Sequence, residues 1–512
     1  MISSGNQAMK LTLWESGVPS AHLLSPSNDG ITRCYTLLEL HRVGLISMTQ
    51  LETLDKGGDV RAIVADRGEA PAAWRLYVNK LIAAEISSIS RYSPVVIQLA
   101  PRATDSRSLL NVVDCKSKVD CPDVAQLTTS VGGVIPEYTV VLCNGNFNHE
   151  HDIDGLLRSV FSQLPRSGRL VAVAYNPYLR WVYKLANQLG LRHGEEPCTF
   201  VTTTALHDIA KLSGFEVVRS RAVGFFPWPL GGLGNLLNRI CPVIPIVNWF
   251  SLASVITLRP VKKLAKRPSL TVVIPARNEK GNIESALKRM PDFGAPLEVI
   301  FVEGHSSDGT WEEIQRVAAE YSDRFTLKCF QQTGKGKADA VRLGFSHASS
   351  DLLTILDADL TIPPELLVRF YDAWERGFGD FINGNRLVYP MEGAAMKFLN
   401  WLGNVFFAKA LSAVLGTKIG DSLCGTKLVS RADYERFIAW RKDFGDFDPF
   451  GDFELIFPAA ILGLGIIDIP MRYRDRVYGS TNIRRFYHGW MLLRMTVIGF
   501  LRVRLGAAVR DL

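Results

Sequence analysis

Two aspartates follow the apolar run 352–356 in the stretch TILDADLTIPPE, residues 354–365. Asp357 and Asp359 are separated by one residue, and two prolines interrupt the chain soon afterwards. Hydrophobic strands do not normally end in paired negative charge. Two acids in this arrangement can both reach one hard divalent cation, which prefers carboxylate oxygens. The alternative is that both acids only cap the next helix.

Two earlier segments also run from a predicted strand into a polar turn and the start of a helix. They are LTVVIPARNEKGNI (270–283) and PLEVIFVEGHSSDGT (296–310). A Gly-rich segment, GKGKADAVRLGFSHA (334–348), lies between them and the aspartates. In open α/β sheets, nucleotides bind outside the carboxyl ends of the strands. The three polar strand ends therefore predict a nucleotide site at one edge of a sheet.

These segments, in this order and spacing, resemble the family 2 glycosyltransferases of GT-A fold. They are most similar to the dolichol-phosphate mannosyltransferase-like and polyprenyl-phosphate sugar transferase branch, over roughly residues 269–500. The resemblance implies inverting transfer of a sugar from a GDP- or UDP-sugar to a polyprenyl or dolichyl phosphate. It also implies Mg²⁺ or Mn²⁺ on Asp357, Asp359 and Thr361, because a divalent cation neutralises the charge that grows on the leaving pyrophosphate.

The resemblance implies a donor site along the polar strand ends. Glu303 stands where the family usually has an aspartate that meets the base, and Gly304 replaces the second aspartate, so guanine and uracil both stay open. Asp308 belongs to this site or simply caps the helix that begins near Thr310. The implied donor-binding residues are Pro275, Arg277, Asn278, Glu279, Glu303, Ser306, Asp308, Lys335, Lys337, Asp357 and Ala358.

The resemblance places the acceptor phosphate on a second group of residues. Arg386 matches a G-x-R motif of the family. Lys397, Asn400 and Asn404 fall at the spacing of the family's R-x-x-S-x-x-x-N motif, with lysine and asparagine in place of its arginine and serine. Lysine at 397 keeps the charge of arginine but loses its bidentate phosphate geometry. GDSLCGTK (420–427) matches an acidic loop lining the active site, and RVYGSTN (476–482) matches a mobile loop. The implied acceptor-phosphate residues are Arg386, Lys397, Asn400, Asn404, Arg476, Tyr478 and Ser480, and the implied catalytic residues are Asp357, Asp359, Asp421 and Arg386.

A lipid phosphate is already anionic at neutral pH, so its attacking oxygen needs no general base. Catalysis then consists of positioning and charge stabilisation. The alternative acceptor is a soluble sugar, glycan or protein, for which Asp452 or Glu454 in FGDFEL would be the base. Helix capping explains Asp452 equally well.

The first half of the chain alternates strand-like and helix-like segments, which predicts a parallel sheet with helices on both faces. At residues 138–176 a strand ends in a short loop, a helix follows, and a Pro-x-x-Gly turn leads to the next strand; this order and spacing resemble class I S-adenosylmethionine-dependent methyltransferases, over about residues 90–258. The resemblance makes LLNVVD (109–114) the second strand and puts Asp114 at the ribose-binding position, and the alternative is that Asp114 is a turn or cap residue. The turn after the first strand, residues 100–103, lacks the glycine that a close cofactor requires. We therefore expect a scaffold or partner-binding domain without methyl transfer. Retained methyltransferase activity, or a cofactor bound in another way, is the alternative.

The predicted fold class is α/β with two Rossmann-like domains. The methyltransferase-like domain spans 1–258, and the basic, proline-containing segment RPVKKLAKRP (259–268) is an interdomain linker. The GT-A domain spans 269–480, and residues 481–512 form basic amphipathic helices.

The composition is that of a globular protein. The 512 residues are 47% hydrophobic and 21% charged, which excludes disordered, collagen-like and small disulfide-scaffold classes. The eight cysteines are scattered without a CxxC pair and are expected to be reduced cytosolic thiols. No basic and apolar leader begins the sequence, so export is not expected.

Two segments, 397–415 and 487–501, are apolar but interrupted by charged or amide residues, so they are too polar to span a bilayer. From Arg472 onward there are nine arginines and two acids. A basic tail beside amphipathic segments favours a peripheral location on the inner, cytoplasmic face of the plasma membrane, whereas ordinary core helices are the alternative. No nucleic-acid recognition motif accompanies the basic residues, so nucleic acid is not an expected partner. A protein partner bound through the N-terminal half is a third, non-enzymatic hypothesis for that half.

Overall fold

The computed structural model describes three short strands between residues 10 and 35 and then residues 73–100, 106–189, 196–390, 398–445, 448, 451–476, 478 and 485–505. The chain divides into two compact units, Met1–Ala72 and Ala73–Leu512. In the first unit, β1 (Lys10–Thr12), β2 (His22–Pro26) and β3 (Thr32–Tyr35) form an antiparallel sheet in that order. The turn at 100–103 lies almost entirely outside the described residues.

The second unit contains two sheets, and the first of them is mainly parallel. Its strands are β4 (Val96–Leu99), β5 (Lys118–Cys121), β6 (Val140–Asn144), β7 (Arg169–Tyr175), β8 (Phe215–Val223) and β9 (Ala253–Pro260). The order is β5-β4-β6-β7-β9-β8, and β9 runs antiparallel to both of its neighbours. The helices among these strands are α1 (Ala73–Ser90), α2 (Ser106–Val112), α3 (Asn146–His149), α4 (Ile153–Gln163), α5 (Arg180–Gln188), α6 (Thr203–Leu212) and α7 (Leu233–Ile240).

Alternate residues of the buried strands pack on opposite faces of this sheet. Val140 and Leu142 of β6 lie in a core with α1 and α2, whereas Val141 and Cys143 lie in a core with α4 and α6. The predicted alternation of strands and helices is therefore confirmed as a mixed α/β arrangement, with helices on both faces. The likeness to methyltransferases stays a prediction.

The prediction of a strand at 109–114 is wrong. Residues 106–112 form α2, because Leu109, Leu110 and Val113 share one helical face that is buried against α1. A short apolar run of this kind does not discriminate strand from helix by periodicity alone. Asp114 consequently follows a helix rather than closing the second strand, and its carboxylate accepts a hydrogen bond from Arg91 Nε at 2.7 Å.

The second sheet carries the polar strand ends. Its strands are β10 (Leu270–Ala276), β11 (Leu297–Glu303), β12 (Thr326–Gln331), β13 (Leu352–Ile355), β14 (Phe381–Asn385), β15 (Lys427–Ser430) and β16 (Ile466–Pro470). The order is β12-β11-β10-β13-β15-β14-β16, with β15 antiparallel to both of its neighbours. The helices are α8 (Lys280–Lys288), α9 (Thr310–Glu320), α10 (Lys337–His347), α11 (Leu367–Glu375), α12 (Phe398–Leu415), α13 (Arg431–Phe444), α14 (Phe453–Ile461) and α15 (Arg485–Gly499).

The register of the central strands brings their carboxyl ends to one edge. Leu270 of β10 is paired with Leu297 of β11 and with Leu352 of β13, all in parallel. The turns that follow β10, β11 and β13 therefore meet, as the sequence predicts.

The two apolar segments near the C-terminus are helices that lie partly in the core. Leu411 of α12 and Leu492 of α15 are buried in the cluster that covers one face of the second sheet. Their opposite sides expose large apolar residues, among them Trp401, Phe406 and Trp490. Within the described residues, no helix is both long enough and apolar enough to cross a membrane.

A buried ionic cluster joins the two sheets. Asp380, just before β14, accepts hydrogen bonds from Arg169 Nη2 at 2.8 Å and Arg259 Nη1 at 3.4 Å, and Arg166 Nε lies 3.9 Å away. Burial alone would raise the pKa of Asp380, but the charges of Arg259, Arg169 and Arg166 lower it below its usual value. Arg259 and Pro260, the first residues of the predicted linker, thus belong to β9 and to this junction.

Candidate active site

The three turns at the carboxyl edge share a strained backbone. Asn278 after β10, His305 after β11 and Leu360 after β13 have positive φ angles of 56°, 59° and 50°. Such left-handed conformations are uncommon for residues other than glycine and concentrate at functional sites. They turn the chain sharply at each strand end and direct the polar side chains toward the sheet edge.

The paired aspartates lie in the turn after β13, and each has a cationic partner. Lys337, at the start of α10, forms an ion pair with Asp357. Arg476 donates a hydrogen bond from Nη2 to Asp359 Oδ2 at 2.6 Å. The other oxygen of Asp359 accepts hydrogen bonds from the backbone and hydroxyl of Thr361, at 3.1 and 2.8 Å. Thr361 thus orients Asp359 through its hydroxyl, while Ala358 between the aspartates is buried.

The electrostatic surroundings keep Asp357 ionised. Burial raises its pKa, but the charge and hydrogen bond of Lys337, with the charges of Lys427 and Arg386, lower the pKa below its usual value. The same pairing raises the pKa of Lys337, although burial opposes that shift. A charged carboxylate is the form that a metal ion requires.

The two aspartates are the carboxylates of this site that could share a divalent cation, with a ligand completing its coordination. Gly425 lies so close to Asp357 that a Cβ there would overlap the Lys337 ammonium group and the Asp357 carboxylate. Among the described residues, no group of three or more His, Cys, Asp or Glu side chains could hold a metal ion. Two carboxylates supplemented by phosphate and water are the usual arrangement for Mg²⁺ at phosphate-binding sites.

The donor-side residues form a hydrogen-bonded rim along the first two turns. Glu303 is buried, and its carboxylate accepts hydrogen bonds from Ser306 N at 2.5 Å and Gln331 Nε2 at 3.3 Å. The Ser306 hydroxyl in turn accepts a hydrogen bond from Asn278 N at 3.0 Å. These bonds tie the turn after β10 to the turn after β11, with Pro275 half-buried and Arg277 exposed beside them.

Asp308 supports the neighbouring helix as well as this rim. Its carboxylate accepts hydrogen bonds from Thr310 N at 3.0 Å and from Lys280 N at 3.3 Å. Burial raises the pKa of Asp308, but these bonds lower it below the usual value. The hydrogen bond from Thr310 N is the contact expected if Asp308 caps the start of α9.

The segment around Arg476 folds over the donor side. Arg476 Nη1 lies 3.2 Å from Glu279 Oε1, so this arginine bridges Glu279 and Asp359. Tyr478 donates a hydrogen bond to Asp308 at 3.3 Å, and its ring covers Gly281, where a Cβ would approach it within 2.8 Å. Ser480 lies outside the described residues.

Arg386 and Asp421 form a buried bidentate pair. Arg386 donates from Nε to Asp421 Oδ2 at 2.7 Å and from Nη2 to Oδ1 at 3.0 Å. Burial opposes the charge of Asp421, but Arg386 lowers the Asp421 pKa, and the pKa of Arg386 is raised. The pair lies close enough to Asp357 for Arg386 to lower that residue's pKa as well.

The remaining predicted residues are less closely gathered. Lys335 is exposed in the loop before α10, and Asn400 and Asn404 are half-buried on α12. Lys397 lies outside the described residues. The structure therefore brings together the donor-side residues other than Lys335, both aspartates, Arg386, Asp421, Arg476 and Tyr478.

The two candidate general bases are held in ion pairs. Asp452 accepts a hydrogen bond from the buried Lys427 at 2.5 Å. Glu454 is buried and accepts from Arg342 Nε at 2.9 Å and Arg441 Nη1 at 2.9 Å. Both carboxylates are therefore already engaged by cationic side chains.

Sequence reasoning missed Asp468, which supports the acidic loop. Asp468 on β16 accepts hydrogen bonds from Asn383 Nδ2 and from Gly420 N, both at 2.7 Å. Burial raises the pKa of Asp468, with a smaller contribution from the charge of Asp421. The acid in IIDIP, alone within a strand pattern, was the available signal.

A cavity of about 380 Å³ is lined in part by the segment before Arg476, through Pro470, Met471, Arg472 and Arg474. Its charged lining consists of Arg289, Arg369, Arg472, Arg474 and Glu365. Arg289 holds Glu365 with two hydrogen bonds of 2.9 Å, and Arg369 donates to Pro470 O at 3.3 Å. Arg474 N donates to Thr361 O at 3.0 Å, which connects the cavity wall to the turn that carries the aspartates.

Comparison with known proteins identifies this half of the chain. Residues 271–437 match the sequence profile of the family described as Glycosyl transferase family 2. The match contains both aspartates, Arg386 and Asp421.

Curated relatives match over a similar stretch. A dolichol-phosphate mannosyltransferase from Pyrococcus furiosus is 29% identical over 224 residues, 42% of this chain and 59% of that protein. A dolichyl-phosphate hexose transferase from Haloferax volcanii is 28% identical over 43% of this chain and 89% of that protein. An undecaprenyl-phosphate 4-deoxy-4-formamido-L-arabinose transferase from Salmonella paratyphi B is 28% identical over 43% of this chain and 63% of that protein. The match thus spans less than two thirds of the Pyrococcus and Salmonella proteins.

Two solved structures show weaker likeness. Glucosyl-3-phosphoglycerate synthase from Mycobacterium tuberculosis, in complex with Mn²⁺, UDP-glucose and phosphoglyceric acid, is 20% identical with a TM-score of 0.34, covering 47% of this chain and 80% of that one. A mannosyltransferase from Pyrobaculum calidifontis, in complex with GDP-Man and Mn²⁺, is 23% identical with a TM-score of 0.31, covering 49% of this chain and 68% of that one.

Proposed function

We propose that the protein is an inverting glycosyltransferase that moves a sugar from a GDP- or UDP-sugar to a polyprenyl or dolichyl phosphate. The observation that carries this proposal is the pair Asp357 and Asp359 at the carboxyl edge of the sheet, inside the family 2 domain. The acceptor class follows the names of the curated relatives, which act on dolichyl or undecaprenyl phosphate.

The donor would lie along the rim formed by the turns after β10 and β11. Glu303, Ser306 and Asn278 shape the base end of this rim through their mutual hydrogen bonds. The diphosphate would extend toward the turn after β13, where Lys337 supplies positive charge at the start of α10. A helix start also favours anions, because its first backbone N–H groups are unpaired.

Asp357 and Asp359 would hold Mg²⁺ or Mn²⁺, with Thr361 fixing the orientation of Asp359. Such a cation, when bound, withdraws electron density from the departing diphosphate. Lys337 and Arg476, which now neutralise the two aspartates, would then be available to the phosphates of the substrates. Both cations are long, flexible side chains outside the strands, so this exchange of partners requires no change in the sheet.

The acceptor phosphate would lie on the side of Arg386 and Arg476. Asp421 holds Arg386 in one orientation through its bidentate contact, and Asp468 fixes the backbone of the loop that carries Asp421. A phosphate oxygen placed opposite the leaving group attacks the anomeric carbon in line, which inverts its configuration. The anionic oxygen carries no proton to remove, so the reaction uses positioning and charge stabilisation.

The pairing of Asp452 and Glu454 supports a phosphate acceptor over a hydroxyl acceptor. A hydroxyl must lose a proton as it attacks, and the two acids predicted for that role are engaged by Lys427, Arg342 and Arg441.

We place the enzyme peripherally on the cytoplasmic face of the plasma membrane, where a lipid phosphate acceptor would be reached. The exposed sides of α12 and α15 would rest in the interface. Residues 1–258 would act as a scaffold or partner-binding domain, with 259–268 as the connection, 269–480 as the transferase domain and 481–512 as basic helices.

A donor screen tests the proposal directly. The whole chain is incubated with a radiolabelled GDP- or UDP-sugar, a short-chain polyprenyl phosphate and Mn²⁺, and the product is partitioned between water and organic solvent. We expect label in the organic phase with one donor class and loss of that product in EDTA. Transfer to water-soluble acceptors alone would refute the lipid acceptor, and undiminished transfer in EDTA would refute the metal.

A further inference from the structure

The N-terminal half exposes many large apolar side chains, several of them aromatic, in two segments that are in contact. The segments are residues 177–189 and 224–252, called here the aromatic surface. Three tryptophans stand out from it, with exposed fractions of 66% for Trp181, 49% for Trp228 and 56% for Trp249. Leucine and isoleucine side chains of α5 and α7, such as Leu185 and Leu236, are exposed between them. Soluble proteins rarely expose apolar patches of this size without a partner.

The aromatic surface is held in place by specific contacts. The rings of Tyr178 and Trp249 lie 5.9 Å apart and connect its two segments. On α7, Asn238 accepts hydrogen bonds from Phe225 N at 2.8 Å and Phe226 N at 3.0 Å. Asn235 of the same helix accepts from Tyr77 of α1 at 2.7 Å. The exposed side chains therefore stand on an ordered base, which costs little conformational entropy when a partner binds.

The charges of this region have one sign. Residues 177–189 and 217–267 contain no aspartate or glutamate. The charged residues on the aromatic surface are Arg180, Lys184 and Arg239. Basic side chains around exposed tryptophans match the negative potential and the polar–apolar boundary of a bilayer with anionic lipids.

We propose that the aromatic surface docks the protein onto an anionic lipid bilayer. Tryptophan rings would insert at the level of the headgroups, while Arg180, Lys184 and Arg239 meet lipid phosphates. The docking proposal depends on the proposed function only for the biological role of docking, because a lipid phosphate acceptor would lie in the same membrane. A second copy of the chain would present an identical and equally basic surface. The absence of acidic residues therefore favours an anionic bilayer over a second copy.

Vesicle flotation of the full chain tests the proposal without any sugar transfer. The variant combines Trp181→Ser, Trp228→Ser and Trp249→Ser, and the matched control is Phe378→Ser, which removes a side chain that is 52% exposed outside both segments. We expect the wild type and F378S to float with vesicles containing phosphatidylglycerol. The triple variant should bind at least about 100-fold more weakly, given the apolar area removed. Pure phosphatidylcholine vesicles should bind the wild type more weakly than anionic ones.

Several outcomes would overturn the docking proposal. The first is that the wild type does not float with anionic vesicles. The second is that the triple variant floats as well as the wild type. The third is that Trp490→Ser abolishes flotation while the triple variant retains it. A wild-type dimer that the triple variant dissociates, with neither protein floating, would assign the surface to a second copy instead. Far-UV circular dichroism and the transfer rate to a short-chain polyprenyl phosphate in detergent should match the wild type and so show that the triple variant is folded. Absence of transfer in every variant, with flotation as expected, would refute the proposed function and leave the docking surface standing.

Discussion

Arg476 and Asp359 form an ion pair of 2.6 Å between a segment near the C-terminus and the turn after β13. The pair ties the segment around Arg476 to the turn that carries the two aspartates. If Asp359 holds the proposed cation, Arg476 would compete with the metal for this carboxylate when no substrate is bound. The ion pair would then couple metal binding to the position of Arg476.

Removing that competition gives the first prediction. Arg476→Gln should raise the apparent affinity for Mn²⁺ in the absence of nucleotide, and should lower the rate of sugar transfer by about 100-fold because a cation near the phosphates is lost. The matched control is Arg474→Gln, since Arg474 is exposed two residues away and uses only its backbone N–H toward Thr361. Isothermal titration with Mn²⁺ gives the affinity. An unchanged affinity in R476Q would contradict the competition.

The second prediction concerns the pH dependence of metal binding. Lys337 lowers the pKa of Asp357 against the effect of burial, so Lys337→Met should raise that pKa. A metal needs the ionised carboxylate, so the acid limb of Mn²⁺ binding should move to higher pH in K337M. Lys288→Met, which removes an exposed lysine paired with Glu284, should leave the limb in place. An unmoved limb in K337M would show that Lys337 does not control Asp357.

Gly425 provides a steric test of the site. Its backbone does not have a positive φ, so Gly425→Ala is conformationally allowed, but the new Cβ would collide with Lys337 and Asp357. We expect transfer to fall by at least about 100-fold with a smaller effect on unfolding than a core substitution has. Gly403→Ala on α12 meets no atom within 4 Å and should leave activity unchanged. Full activity of G425A would place the reaction elsewhere.

The buried junction at Asp380 governs stability. Asp380→Asn leaves Arg166, Arg169 and Arg259 without their common anion, and should lower the free energy of unfolding by roughly 3–5 kcal/mol. Asp372→Asn, which removes a half-buried partner 3.5 Å from Arg267, should cost about 1 kcal/mol or less. Urea unfolding monitored by circular dichroism measures both.

The sign of the pH effect at Asp380 follows from its lowered pKa. A carboxylate whose pKa is lower in the folded state contributes its full stabilisation at any pH above its ordinary pKa of 3.8. This stabilisation is lost as the pH falls through the folded-state pKa. The difference in stability between the wild type and D380N should therefore shrink in acid. A difference that stays constant down to the lowest pH at which the wild type folds would contradict the ion pairing.

The carboxyl edge of the second sheet could be predicted because its signals are local. Each strand is a short apolar run followed at once by its polar turn, so the pattern predicts that these turns meet at one edge. The assignment of Glu303 and Asn278 to a donor site came from the family resemblance. The run at 109–114 was equally apolar, but its side chains are buried on one face of a helix. Its length and composition did not discriminate the two structures.

The partners of the site residues could not be predicted, because they are distant in sequence. Nothing near Asp359 indicates Arg476, and nothing near Asp421 indicates Asp468. Arg259 stands in a basic run typical of an exposed linker, yet it is 1% exposed because Glu216 and Asp380 neutralise it in the fold. Burial of a charge depends on a tertiary partner, which local patterns do not contain.

The central claim is that Asp357 and Asp359 hold a divalent cation together with the nucleotide diphosphate. Electron paramagnetic resonance of free Mn²⁺, titrated with the full chain in the presence of GDP or UDP, measures this most directly. We predict that the wild type and Asp351→Asn, altered at the opposite end of β13, take up Mn²⁺ with one of the nucleotides, and that the double variant Asp357→Asn, Asp359→Asn does not. Uptake by the double variant equal to that of the wild type would contradict the account.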